Sequence, residues 1–238
     1  MNDTPADLES IPAFLDRRAS KPLIYTFTML SAYRNCGHAM YRRYIKKDQP
    51  YVESPQMKFG NDVHTAFEHR VGSHKPLPDN MAQWEHFAAA LDGRGANVEL
   101  KLAMTREGRT TGYWDSDCWF RGKIDVTLRQ GERAYIRDWK TSKTGSKYED
   151  SFELETNALL LKAKYPALQV VRGDYVWLAE NRIGQSYDLS AFRVTWDEIN
   201  RLVALIEADR ASGEFEKKRS GLCSWCSVQD CEHWRKRQ

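Results

Sequence analysis

GKIDVTLRQGERAYIRDWK, residues 122–140, reads as two strands joined by a tight turn. The turn signal is Arg129-Gln130-Gly131-Glu132, and it predicts strands over 118–129 and 133–140. Side chains alternate along a strand, so Asp138 and Lys140 share one face while Trp139 points the other way, toward packing. A hairpin centred near Gln130–Gly131 pairs position 125 with about 136 or 137, which makes Asp125 and Asp138 cross-strand or diagonal neighbours. Two carboxylates on one face repel each other unless a cation lies between them, and hard cations such as Mg²⁺ or Mn²⁺ prefer oxygen ligands. Such an ion polarises a phosphate, activates a water and stabilises charge on the leaving oxygen. Lys140 is placed to hold that water or to neutralise charge developing at phosphorus. An Asp-x-Lys triplet by itself is very common and is far more often a solvated strand face with an ion pair. Gly122-Lys123-Ile124-Asp125 on the other arm of the hairpin is what makes it a candidate site.

Upstream, Asn97–Met104 (NVELKLAM) alternates apolar and polar residues and predicts another strand. Before it the period is helical. Thr26 or Thr28 caps a helix running to about Lys46, a second helix fits 57–72, and a third fits 81–92 and is ended by Gly93 and Gly95. His64 lies on the second of these, in Gly60-Asn61-Asp62-Val63-His64. A neutral imidazole is a reasonable further metal ligand, and Glu68, one turn on, reads either as orienting it or as its partner in a solvent-exposed helix pair. Downstream come a helix over 149–164, strands over 170–179 and 185–194, and a helix over 197–211. Helices, three strands, a helix, strands and a helix predict an α/β fold, with a mixed central sheet flanked by helices. The organisation expected is a flexible arm over 1–22 and one domain over 23–238. That domain divides into a helical part (23–96), an α/β core (97–212) and a cysteine-rich tail (213–238).

The chain has 238 residues, enough for one ordinary domain with appendages, and a formal net charge of +3. That sign suits a polyanionic partner, although the excess is small. No run of about 18 apolar residues predicts a membrane span, and the polar, acidic start does not read as a signal peptide. A cytoplasmic location follows as the expectation, in a compartment where disulfides are rare. The five cysteines need another role. Cys223, Cys226 and Cys231 are spaced C-x-x-C-x-x-x-x-C, as for a metal site lacking its fourth ligand, for which Cys36 and His233 are candidates. Four thiolates suit Zn²⁺ or an iron–sulfur cluster. Cys118 reads as a small core residue.

Taken in order, GNDVH (60–64), GKID (122–125) and IRDWK (136–140) resemble the RecB-type branch of the PD-(D/E)XK nucleases, with the restriction-endonuclease-like core of that superfamily. The likeness is greatest to CRISPR-associated and phage-borne RecB-type exonucleases, and it covers nearly all of the chain after about residue 23. It implies that His64, Asp125 and Asp138 hold Mg²⁺ or Mn²⁺ and that Lys140 is catalytic. Glu99 matches an acidic position often seen upstream in that branch. The resemblance also implies a 4Fe–4S cluster on Cys36, Cys223, Cys226 and Cys231, with Zn²⁺ as the alternative, stapling the first helix to the tail. One motif departs: where the family usually carries Gln-x-x-x-Tyr, this chain has Glu153 and Asn157. The departure bears on substrate preference more than on the reaction class.

The expected partner is DNA with single-stranded character or a free end, in a bacterial cell or phage-infected host, with a recombination or CRISPR protein alongside. Basic residues at Arg42, Arg43, Lys46 and Lys47, at Lys140, Lys143 and Lys147, and at Lys217, Lys218 and Arg219 are accompanied by Tyr33, Tyr41, Tyr44, Trp139 and Tyr148. Phosphate neutralisation with base stacking holds single strands without reading sequence. Thr141, Ser142 and Lys143, just past the lysine, are best placed to touch a phosphate. A DNA-binding adaptor on the same fold and a zinc-stabilised interaction module are the competing readings.

Overall fold

The computed structural model describes residues 22–49, 53–143, 147 and 149–236, so the arm expected over 1–22 falls outside it except for Pro22. The fold is built on the hairpin of β3 (Phe120–Gln130) and β4 (Arg133–Lys140). Its ladder closes on Gln130↔Arg133, leaving Gly131-Glu132 as a two-residue turn. Gly131 takes φ +57° at the first turn position, where glycine is favoured. The turn therefore centres one residue later than the sequence reading placed it. Thr127 pairs with Ile136 and Val126 with Arg137, and continuing that register sets Asp125 opposite Asp138 rather than 136 or 137.

β1 (Asn97–Met104) runs antiparallel to β3 and carries β2 (Thr110–Thr111) at its outer edge. On the other side β5 (Val170–Trp177) is parallel to β4, and the crossover between them contains α5 (Phe152–Lys164). Two short antiparallel pieces, β6 (Arg182–Ile183) and β7 (Tyr187–Asp188), pair with β5. The sheet order is β2-β1-β3-β4-β5-β6, mixed but mostly antiparallel.

Helices cover both faces. α1 (Phe27–Asn35), α5 and α6 (Phe192–Ser212) share one core with the sheet, in which Leu30, Ile124, Ile136, Leu160 and Ile206 are fully buried. On the opposite face α3 (Pro55–Ser73) and α4 (Glu85–Ala89) enclose Val63, Phe67, Val126, Trp139 and Val176. Trp139 lies against Phe67 at 4.4 Å between ring centroids. None of the described helices is long and apolar enough to cross a membrane.

Several elements differ from the sequence reading in informative ways. Thr26 does cap α1, accepting from the Met29 N–H. That helix breaks at Cys36, whose backbone is extended, and resumes as α2 (Gly37–Met40) and a π-turn over Tyr41–Ile45. The helix expected over 81–92 is a 3-10 turn, Asp79–Trp84, followed by the short α4. The strand expected over 185–194 is corrected to Tyr187–Asp188 alone, because α6 begins at Phe192. Phe192, Trp196, Ile199 and Leu202 pack at helical spacing on one core, and that periodicity overrides the short alternation before it. β2 and β6, two residues each, leave no sequence pattern.

One buried ion pair clamps the parallel half of the sheet. Arg137 and Asp174 are register partners on β4 and β5, both buried, joined by two hydrogen bonds of 2.8 Å, and Tyr135 Oη also donates to Asp174. Asp174→Ala leaves a buried guanidinium without its carboxylate and is expected to cost about 3–5 kcal/mol in urea unfolding. The Arg137→Met/Asp174→Leu double variant is expected to lose less than Asp174→Ala. A double variant less stable than the single would refute the clamp.

Candidate active site

The site lies where two strands change face together. Residues two apart on a strand normally share a face. Here Val98 and Val126 pack toward α3, whereas Leu100 and Ile124 pack into the core beneath α5. The pairs Val98↔Val126 and Leu100↔Ile124 flank the break, so Glu99 and Asp125 confront each other within it. Glu99 has φ +50°, a left-handed backbone that costs a non-glycine residue roughly 1–2 kcal/mol. Such strain persists only where the surroundings over-determine it. Lys123, two residues before Asp125, makes an ion pair with Glu99. The β3–β4 ladder also stops here, after Val126↔Arg137. Beyond it the Trp139 N–H donates to Asp125 Oδ2 at 2.9 Å, so a carboxylate takes the place of a backbone acceptor.

α3 delivers His64 to the same point. Its Nδ1 lies 3.2 Å from Asp125 Oδ1 and 3.9 Å from Glu99 Oε1, so it is oriented by these two carboxylates. One ligand atom from each of His64, Glu99 and Asp125 lies within 4.8 Å of the others, a set that could hold a metal ion. Burial works to lower the His64 pKa, but the hydrogen bond and charge of Asp125, with Asp138 and Glu99, hold it above its ordinary value.

Asp138 adjoins this trio. It is buried, and its Oδ1 lies 2.8 Å from Lys140 Nζ in an ion pair. Burial pushes the Asp138 carboxyl up to about 6, against the pull of Lys140 and with the push of Asp125. A buried carboxylate, two further carboxylates and an imidazole are the donor set a hard divalent cation takes. The residues fit such an ion.

Lys140 Nζ is held from the other side by Glu153 Oε2 at 2.7 Å. Burial works to lower the lysine pKa, but Asp138 and Glu153 carry it well above its usual value. The departure at Glu153 thus acquires a role that the sequence did not suggest: it pairs with the lysine. Asn157, one turn along α5, is buried where the helix crosses Gly122 closely, and a Cβ on that glycine would stand 3.1 Å from its Oδ1. Thr141 follows β4 beside Gly60 of α3, whose Cβ position is 3.4 Å from its Oγ1, and Ser142 and Lys143 are exposed.

The cysteines meet away from this centre. The Lys218 N–H approaches Cys36 Sγ at 3.5 Å, the Ser220 N–H approaches Cys223 Sγ at 3.3 Å, and His38 N donates to Glu216 O. The tail therefore runs along the break between α1 and α2. Burial raises the Cys226 thiol, and Cys36, Cys231 and Cys223 are near enough to add to the shift. Cys118 is buried apart from them, as expected.

Several expected DNA contacts are otherwise occupied. Arg42 pairs with Asp48 and Asp230, Lys46 with Asp48, and Lys217 with Glu232. Tyr33 donates to Asp209, Tyr41 stacks on Phe215, and Trp139 is core. Tyr148 lies outside the described residues.

A family model described as the PD-(D/E)XK nuclease superfamily matches residues 25–231. Among solved structures the chain is similar to that described as "Crystal structure of SSO0001", with 13% identity and a TM-score of 0.47, covering 90% of this chain and 87% of that one. No match was found among curated proteins.

The raised pKa values set a pH dependence with a definite sign. In the ion-free protein the contribution of Asp138 to stability is complete below the ordinary carboxylate range and is lost as pH rises through about 6. The upward shift of His64 acts in the same sense, its contribution being lost as pH rises through its own raised value. A divalent ion takes the deprotonated forms, so its binding releases protons. Mn²⁺ is therefore expected to bind more weakly at about pH 5.5 than at about pH 7.5, and to raise the melting temperature more at the higher pH. Calorimetric affinities equal at the two values would contradict this.

Proposed function

The chain belongs to the PD-(D/E)XK nuclease superfamily, and from that premise we propose that it is a Mg²⁺- or Mn²⁺-dependent deoxyribonuclease of the RecB-type branch. Within that branch we read it as an exonuclease of DNA recombination, repair or processing, in the cytoplasm of a bacterium or phage-infected host. The observation that carries the reading is the convergence of His64, Glu99 and Asp125, from three elements, beside Asp138 and Lys140.

His64, Asp125 and Asp138 are the proposed ion ligands, and Glu99 joins them rather than serving only the substrate. An ion held there would supply Lewis acidity to the phosphodiester and lower the pKa of a water so that hydroxide is available as the nucleophile. Asp125 keeps Oδ1 toward His64 because Oδ2 is tied to the Trp139 N–H. Lys140, held protonated by its two carboxylates, works as a fixed positive charge on a phosphate oxygen or the attacking water, not as a base. Glu153 keeps that ammonium extended toward the centre. Thr141, Ser142 and Lys143 are read as contacts to the neighbouring phosphate, and Asn157 as part of the wall behind it.

The four cysteines are proposed to ligate a 4Fe–4S cluster, with Zn²⁺ as the alternative, and to staple the tail to the α1–α2 break. Support comes from the tail contacts at Cys36 and the nearness of Cys36, Cys223 and Cys231 to Cys226. Protein produced with ample iron is expected to be coloured and to carry iron and labile sulfide. A colourless preparation with stoichiometric zinc would replace the cluster by zinc.

End-labelled single- and double-stranded DNA digested with Mn²⁺ tests the activity. Lys140→Ala, checked for retained fold, is expected to lose about 10²–10³-fold in rate. Equal rates in the two proteins would remove Lys140 from the reaction, and inactivity of both would favour a DNA-binding adaptor.

A further inference from the structure

The face of β1 and β3 on which Lys123 meets Glu99 continues past that pair as a basic strip ending in an exposed tryptophan beside a half-buried tyrosine. Leu102, Met104, Phe120 and Ile124 point into the core beneath α5, so Lys101, Ala103, Arg121 and Lys123 project from the other side of the sheet. Lys101 stands directly opposite Lys123, and Ala103 opposite Arg121. Like charges directly opposed across a ladder are destabilising unless something anionic relieves them. Glu99 serves Lys123. Lys101 is exposed.

At the end of this strip, the loop between β2 and β3 holds Trp114 in the open, 76% exposed. The ring is not loose. The Arg121 guanidinium lies 4.5 Å from the Trp114 centroid and 4.7 Å from that of Tyr113, and Arg121 Nη1 donates to Tyr113 O at 3.0 Å. Tyr113 meets Trp114 edge-on at 5.0 Å. The loop is cross-tied beneath them: Gly112 N donates to Asp115 Oδ2 at 2.9 Å and Thr111 Oγ1 to Asp117 Oδ1 at 2.5 Å. The two acidic side chains nearest the tryptophan are thus turned into the turn's own hydrogen bonds. A large apolar ring with one face covered by an arginine and the rest in water contributes little to the fold.

We propose that Trp114 is a stacking platform for an unpaired nucleobase, reached by a single strand whose phosphates follow Lys101 and Arg121 away from the candidate active site. The proposal rests on the nuclease reading and specifies its substrate as single-stranded DNA or a single-stranded end. Arg121 lies four residues from Asp125, about 14 Å along an extended strand. That spacing leaves room for the strand to pass from the ion ligands to the ring. Every base has a π-face, so the platform would hold a strand without reading its sequence. A duplex keeps its bases inside and offers the ring nothing to stack on.

Binding of a labelled oligothymidylate, followed by fluorescence anisotropy in EDTA, separates this proposal from catalysis. Trp114→Ala, a change at an exposed position, is expected to weaken single-strand binding about tenfold, with Trp114→Phe intermediate and a blunt duplex of equal length unaffected. Lys101→Ala is expected to lower the slope of log affinity against log salt by about 0.7, the value for one phosphate contact to a single strand. Unchanged single-strand binding by Trp114→Ala, an equal loss on duplex, or no binding by the wild type overturns the proposal. If the wild type cuts DNA and Trp114→Ala binds and cuts as well, the platform falls and the nuclease stands. If Trp114→Ala alone loses the single strand while neither protein cuts, the platform stands and the nuclease reading falls.

Discussion

The Asp125 carboxylate is the joint on which the structure depends. One oxygen takes the Trp139 N–H where the β3–β4 ladder has stopped, and the other faces His64. A buried N–H without a partner would be costly, so the strands can part at this point only because a side chain supplies the missing acceptor. The parting in turn exposes the space that His64, Glu99 and Asp138 share. The functional geometry and the hydrogen-bond requirement of the sheet are met by the same group. Substituting Asp125 would therefore disturb the sheet as well as the candidate site, and loss of activity in such a variant would be ambiguous.

The charge distribution around that joint is unbalanced without an ion. Glu99, Asp125, Asp138 and Glu153 converge on two lysines and one imidazole. The upward shifts of Asp138 and Glu153 are led by burial, with carboxylate repulsion adding to both. Lysine charge relieves the crowding in part, at positions set by Glu99 and Glu153 at the two sides of the cluster. A cation between His64 and the acids would relieve the rest. The left-handed backbone at Glu99 fits this view: the strand accepts local strain to turn one more carboxylate inward.

The part of this arrangement that sequence could reveal is the part that depends on period and local chemistry. The alternation in residues 133–140, the glycine turn and the Gly-Lys-Ile-Asp arm are enough to make Asp125 and Asp138 cross-strand or diagonal neighbours, because strand geometry leaves few alternatives. His64 was visible through its motif and not through its helix, since a histidine on a helix has no distinctive spacing. The turn lies one residue later than the glycine signal alone implies, which shifts the partner of position 125 to Asp138. The helix break at Cys36 was hidden because an extended residue between two helical runs leaves both periods intact. The start of α6 was misread because three apolar residues of a helix N-terminus also fit the end of a strand.

What sequence could not supply is which charges neutralise one another. Glu153 looked like a departure that would trouble a phosphate, and only the packing of α5 against β4 shows it gripping Lys140. The basic run at Arg42–Lys47 looked like a DNA surface, yet Arg42 and Lys46 are partnered by Asp48, with Asp230 of the tail on the same arginine. Conversely, Lys101 and Arg121 sit in segments that read as ordinary strand, and Trp114 in one that reads as loop. Their common face emerges only from the register of β1 on β3. A charge run in sequence reports composition, whereas the field at a surface is set by what remains after the acids have chosen partners. In this fold Asp48 and the tail's Asp230 partner Arg42 and Lys46 of the obvious basic cluster, and positive charge beside the candidate active site comes from scattered residues that the sheet brings into line.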